Sequence, residues 1–230
     1  MSETVLIVGA GSGLSASLAR LCKSNGMKVV LAARNINKLT SLIEDIKAEV
    51  IACDAGDIQS VLSLFQSMDK TIGTPNLVIY NPSVRIRGSI TDLDPEETRN
   101  AINITCFGAF LVAQQASIRM LSRGSGSIFF TGASAGVKGF AKSSVFAMGK
   151  FGLRGLAQSL ARELHPQNIH IGHFVIDGAI NSKNNIVNKY SGKDNMLDPD
   201  AIAKSYLEFH RQDRSAWAWE IELRPWVENF

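Results

Sequence analysis

The first apolar run, Val5–Val8, leads straight into Gly9-Ala10-Gly11-Ser12-Gly13, and a helical pattern opens at Leu14. A strand that passes into a helix through glycines leaves few folds open. Glycines permit the tight reversal and let a ligand approach the backbone closely, so a pyrophosphate can rest on the helix N-terminus. The spacing departs from G-x-G-x-x-G, because Leu14 holds the last position. It fits the looser G-x-x-x-G-x-G pattern, with Gly9 and Gly13 in place and Ser15 standing for the third glycine. The turn points to a dinucleotide; a merely tight turn is the alternative.

Short β-branched runs then alternate with longer helical patterns. Val5–Val8, Lys28–Ala33, Val50–Cys53, Leu77–Tyr80, Ser127–Thr131, Ile169–Ile176 and Trp217–Leu223 read as strands. Helices are expected near 14–25, 36–47, 57–70, 95–122, 144–164 and 199–210. Consecutive apolar positions in several strands suit a parallel sheet covered on both faces. The pattern predicts an α/β, doubly wound parallel sheet of about seven strands. Asp94-Pro95-Glu96-Glu97 reads as a helix start, with a capping carboxylate, proline in the first turn and acids at the positive dipole end.

The 230 residues, 45% hydrophobic, suit one domain over 1–230 with a single large core. The 24 basic and 21 acidic side chains are scattered, which gives nucleic acid no footprint. The first apolar run has neither the basic flank nor the length of a signal peptide. Ala101–Ile118 is the run worth testing against a membrane, but Asn103, Thr105, Gln114 and Gln115 would be costly in lipid, so a buried helix is expected. Cys22, Cys53 and Cys106 are odd in number and far apart, as reduced thiols of a cytoplasmic protein would be.

The second strand ends in Ala32-Ala33-Arg34, without the acid that binds a ribose 2′-hydroxyl. Ala33 leaves room for a 2′-phosphate that Arg34 can bind, which favours NADP(H) over NAD(H). A solvated surface arginine is the alternative. Asp54 can meet an adenine amino group or cap the next helix, although Asp57 is better placed to cap.

With these features the chain resembles the short-chain dehydrogenases/reductases, a Rossmann-fold family, over nearly its whole length. Tyr80-Asn81-Pro82-Ser83 stands where that family has Asn-Asn-Ala-Gly. Asn103 falls where the family places a catalytic asparagine. Asp177-Gly178-Ala179-Ile180 is similar to its Pro-Gly turn, whose following residue meets the nicotinamide carboxamide. The resemblance implies a cofactor held by Gly9, Gly11, Ser12, Gly13, Leu14, Arg34, Asp54, Asn81, Lys150 and Ile180.

Where the family has Tyr-x-x-x-Lys, this chain has Phe146-Ala147-Met148-Gly149-Lys150, and the family's serine falls on Ala133. The i, i+4 spacing puts Phe146 and Lys150 on one helix face. By the resemblance, lysine binds the nicotinamide ribose and lowers the tyrosine pKa, and the phenol protonates the carbonyl. Phenylalanine has no proton to give, so only Asn103 and Lys150 of the four remain. The expected activity is NAD(P)(H)-dependent oxidoreduction of a small carbonyl, alcohol or activated alkene with a non-standard proton donor. Water held by Asn103 and Lys150 is one candidate, and Ser134, Ser143, Ser144 and Tyr80 are others. The alternative is an inactive NADP(H)-binding sensor or structural subunit.

Arg85 and Arg87 follow the fourth strand and can greet an acidic substrate or phosphate, or be two solvated loop residues. His170 and His173 point to opposite faces of a strand and cannot share a metal, so no metal site is expected. Asn181–Asp198 is polar and weakly periodic, and 181–210 is a candidate substrate lid or a surface insertion. Ala109, Ala113 and Ala116, with Leu153, Leu156 and Leu160, give two helices apolar on more than one face. By the resemblance these form a homodimer or homotetramer. The tryptophans at 217, 219 and 226 are expected on an edge strand and tail, walling the active site or meeting another subunit.

Overall fold

The computed structural model describes residues 2–181 and 195–228. Strands β1 (Thr4–Val8), β2 (Lys28–Ala33) and β3 (Glu49–Ala52) alternate with helices α1 (Leu14–Ser24) and α2 (Thr40–Ile46). Helix α3 (Ile58–Thr71), strand β4 (Leu77–Tyr80), helices α4 (Pro95–Ile102) and α5 (Gly108–Arg123), and strand β5 (Gly126–Thr131) follow. Helix α6 (Ser144–Leu164) and β6 (Ile169–Ile176) precede a two-residue ladder of β7 (Ala179–Ile180) with β8 (Met196–Leu197). Helix α7 (Pro199–His210) and β9 (Glu220–Leu223) complete the order.

The main sheet is parallel throughout, in the order β3-β2-β1-β4-β5-β6-β9. The chain builds outward from β1 to β3, then crosses to β4 and builds the other way. Beyond the carboxyl ends of β1 and β4 the loops part, which is where such sheets bind ligands. Register fixes that edge, with Val8 opposite both Ala32 and Tyr80. One face of the sheet packs on α3, α5 and α6, the other on α1, α2 and α7. All eight residues of β6 are buried, as a central strand covered on both sides requires.

Helix starts follow the sequence. Asp57 accepts from Ser60 N at 2.6 Å and Asp94 from Glu97 N at 2.8 Å, caps worth about 1 kcal/mol each. Three expectations need correction. The helix expected over 36–47 is a 3-10 turn (Ile36–Leu39) followed by α2, because the Asn35 side chain caps the earlier turn through Asn37 N. The helix over 95–122 is interrupted at Asn103–Phe107 by a π-helical turn. The last strand begins at Glu220 rather than Trp217, because the Trp217 ring stacks on His170 at 4.5 Å and its indole N–H donates to Gln212 O.

Of the expected lid over 181–210, residues 182–194 lie outside the described residues. Its later part is α7, whose Ile202, Ala203, Tyr206 and Phe209 are buried in the core rather than free to move. Pro95–Arg123 is long and apolar enough to cross a membrane, and half of its apolar window is buried inside the protein.

Candidate functional site

Two cavities meet above the carboxyl ends of the strands and share Asn81 and Ser83 as a common wall. The first, about 450 Å³, is lined by Gly9, Ala10, Gly11 and Ser12, by Ala33, Arg34 and Lys38, and by Asp54. Gly9 has φ +78°, and a Cβ there would stand 2.6 Å from Pro82 N, so the position admits glycine alone. Gly11 and Gly13 are different, for a Cβ on either would meet nothing within 4 Å. That open space lies at the head of α1, whose N-cap Gly13 contributes no side-chain cap and whose first turn holds no acid. The leading amides of α1 are therefore left for an anion.

Ser15 explains how the pattern survives loss of its third glycine. Its hydroxyl donates to Gly9 O at 3.1 Å and accepts from Asn81 Nδ2 at 2.7 Å, tying the turn after β1 to the end of β4. Along the far wall, Arg34 and Lys38 bring two cations together where β2 ends. Lys38 was missed in the sequence, although its place four residues after Arg34 was a usable signal. Asp54 accepts from Gly56 N at 2.9 Å, which fixes its carboxylate at the cavity wall. The residues present fit a phosphorylated dinucleotide: free amides and open space at the turn, cations beside Ala33, a carboxylate beyond.

The second cavity, about 550 Å³, is lined by Arg85, Arg87, Ala133, Ser134, Phe146 and Lys150, among others. Lys150 is 2% exposed, and burial lowers its pKa to about 7. Its Nζ donates to Thr131 O at 2.7 Å, a bond from the middle of α6 to the end of β5. Two cations approach the Phe146 ring, with Lys150 Nζ 5.7 Å and the Arg85 guanidinium 5.4 Å from its centroid. Asp177, at the end of β6, lies 3.7 Å from Lys138 and 3.2 Å from Arg224.

Behind this cavity, His173 is fully buried. Its Nδ1 meets Glu220 Oε2 at 2.9 Å, and Glu220 takes a two-point grip from Arg154 at 2.6 and 2.8 Å. Burial lowers the His173 pKa to about 4, so at pH 7 the neutral imidazole donates its Nδ1–H to the Glu220 carboxylate. A Cβ on Gly132 would lie 2.4 Å from His173 Nε2, so the turn after β5 needs glycine there.

Several expected residues fall elsewhere. Gly13 and Leu14 are not on the wall of the first cavity; Leu14 is core, and only the head of α1 brings its amide near. Asn103 lines neither cavity, and its Nδ2 donates to Gly56 O at 2.8 Å. Tyr80 is sealed in the core, donating to Ile104 O, with burial holding its phenol far above the usual value; it is corrected as a proton donor. Ser143 lines the second cavity but its hydroxyl is buried without a partner, whereas Ser144 lines an apolar groove with Ile90 and Met148. Ile180 is on the second cavity wall. The tryptophans do not wall the site: Trp217 stacks on His170, Trp219 packs against the core beside Arg154, and Trp226 is exposed. Among the described residues no group of three metal-ligating side chains occurs.

A sequence family described as short chain dehydrogenase matches residues 3–188. An uncharacterized oxidoreductase of Staphylococcus aureus is 26% identical over 229 residues, 97% of each chain. The crystal structure of a short-chain dehydrogenase from Rhodopseudomonas palustris superposes with TM-score 0.85 at 30% identity, covering 97% of this chain and 99% of that one. A metagenomic short-chain oxidoreductase in complex with NADP gives TM-score 0.85 at 23% identity, over 98% of both chains.

Proposed function

The chain belongs to the short-chain dehydrogenase family, and from that premise we propose that it is an NAD(P)(H)-dependent oxidoreductase preferring NADPH, acting on a small carbonyl, alcohol or activated alkene. One observation carries this reading: the open amides at the head of α1, the Arg34–Lys38 pair and buried Lys150 line two joined cavities at the topological switch point. When bound, the cofactor supplies or accepts the hydride. The amides after Gly9 hold the pyrophosphate, Arg34 and Lys38 the 2′-phosphate, and Asp54 the adenine. Asn81, Ile180 and Lys150 serve the nicotinamide side.

In this reading Phe146 and Ala133 occupy the positions of the family's tyrosine and serine. The proton then comes from water or from Ser134, one of the hydroxyls on the cavity wall; Asn103 acts only through the backbone of Gly56. A positioned acid contributes about 10²–10⁴-fold, while alignment of the reactants is a separate and large contribution. The test is a fluorescence titration with NADPH and NADH, then a panel of aldehydes, ketones and enals. Tight NADPH binding followed by oxidation supports the proposal, and absence of binding to either cofactor overturns it.

A second reading, an inactive NADP(H)-binding sensor or subunit, is favoured by the protonless ring at Phe146. It predicts NADPH binding with no turnover on any of the panel. We also propose one domain over 1–230, a cytoplasmic location consistent with three free cysteines, and a homodimer or homotetramer. The exposed rings of Phe107, Phe110 and Phe151 on the α5–α6 side support association, and light scattering at micromolar concentration tests it.

A further inference from the structure

Arg85 and Arg87 line the second cavity, both exposed, and neither forms an ion pair among the described residues. The acids on the same wall do not neutralise them. Asp177 is bracketed by Lys138 and Arg224, and Glu228 has no cation within 4 Å among the described residues. Arg85 is held over the Phe146 ring, which lines the same cavity. Two guanidinium groups without a counter-ion, facing a half-enclosed space, raise the local concentration of anions and offer planar forks matched to them.

We propose that the molecule accepted in the second cavity carries an oxyanionic group, a carboxylate or a phosphate, gripped by Arg85 and Arg87. This deepens the oxidoreductase reading and rests on it for the role of the cavity, but the anion site itself is a property of these two side chains. Arg34 and Lys38 occupy the other cavity, so the two pairs of cations divide the anions of cofactor and substrate between them.

The experiment titrates the protein with 4-formylbenzoate, 4-formylbenzamide and phenyl phosphate, first alone and then saturated with NADP⁺, which cannot donate hydride. At least one of the two anions is expected to bind tenfold or more tighter than the neutral amide, and the better of them assigns the group. The Arg85→Gln/Arg87→Gln double variant should lose that preference while its NADP⁺ affinity stays within twofold. Raising the salt to 0.5 M should narrow the gap in the unaltered protein. Binding of both anions no tighter than that of the amide, or a preference that survives in the double variant, overturns the proposal. Failure to bind NADP⁺ with anion selectivity intact would instead count against the cofactor reading alone.

Discussion

The two cavities differ in what they are made of. The first is built mainly from backbone: a glycine turn, the head of α1, and a serine and an asparagine that pin the turn in place. The second depends on single side chains, above all Lys150 and Phe146, set by the packing of α6 on β5. Backbone amides survive every substitution except proline, whereas a catalytic side chain vanishes with one codon. A chain can therefore retain a phosphate seat while its proton chemistry changes, and the proposed function takes this chain to be such a case.

The largest effect should come from restoring the missing groups. Phe146→Tyr with Ala133→Ser places a phenol beside Lys150, and aldehyde reduction with NADPH should rise about 10²-fold or more. If turnover is unchanged, the second cavity is not a carbonyl-reducing centre of the expected kind.

Gly9→Ala comes next. It combines an unfavourable φ with a 2.6 Å approach to Pro82 N and should cost about 3 kcal/mol in urea unfolding. Gly11→Ala, with nothing near, should leave the midpoint almost unmoved, and its effect should appear in NADPH affinity instead. Similar losses of stability at both positions would show that the first cavity is not organised as described.

Lys150→Met separates the two cavities again. A buried ammonium with pKa near 7 disfavours the folded state below that pH. The unfolded chain holds the extra proton between about pH 7 and the ordinary lysine value, so stability rises with pH across that window. The variant should flatten that rise in thermal melts and bind NADPH about tenfold more weakly. A slope that persists would assign the pH dependence elsewhere.

On the acid side, His170 and His173 are held near pKa 4 by burial. Their contribution is complete above about 6.5 and is lost as pH falls towards 4. The loss should appear as a falling urea midpoint over that interval, with a shallower fall in His173→Gln.

The sheet was legible because β-branched runs and the glycine turn are local signals, and six of seven strands lie within a residue or so of expectation. The first cavity was legible for the same reason, since Gly9, Arg34 and Asp54 sit where strands end. The second was not. Nothing local announces that Asn103 enters a π-helical turn and donates to Gly56, that Tyr80 is spent on Ile104, or that Arg85 covers Phe146. Each depends on an element distant in sequence. Trp217 misled because aromatic residues favour strands, and its ring found a better partner in His170.

The rims of the sheet carry a lesson about crowding. β3 and β9 are only four residues long, and each begins with a glutamate, Glu49 and Glu220; on β9 the second acid, Glu222, is exposed. Short, acid-bearing borders are poor templates for a stray strand, which guards the protein against fibre-like growth at high concentration. Copies of this chain that do meet are thereby directed to their helical sides, where Phe107 and Phe110 lie stacked.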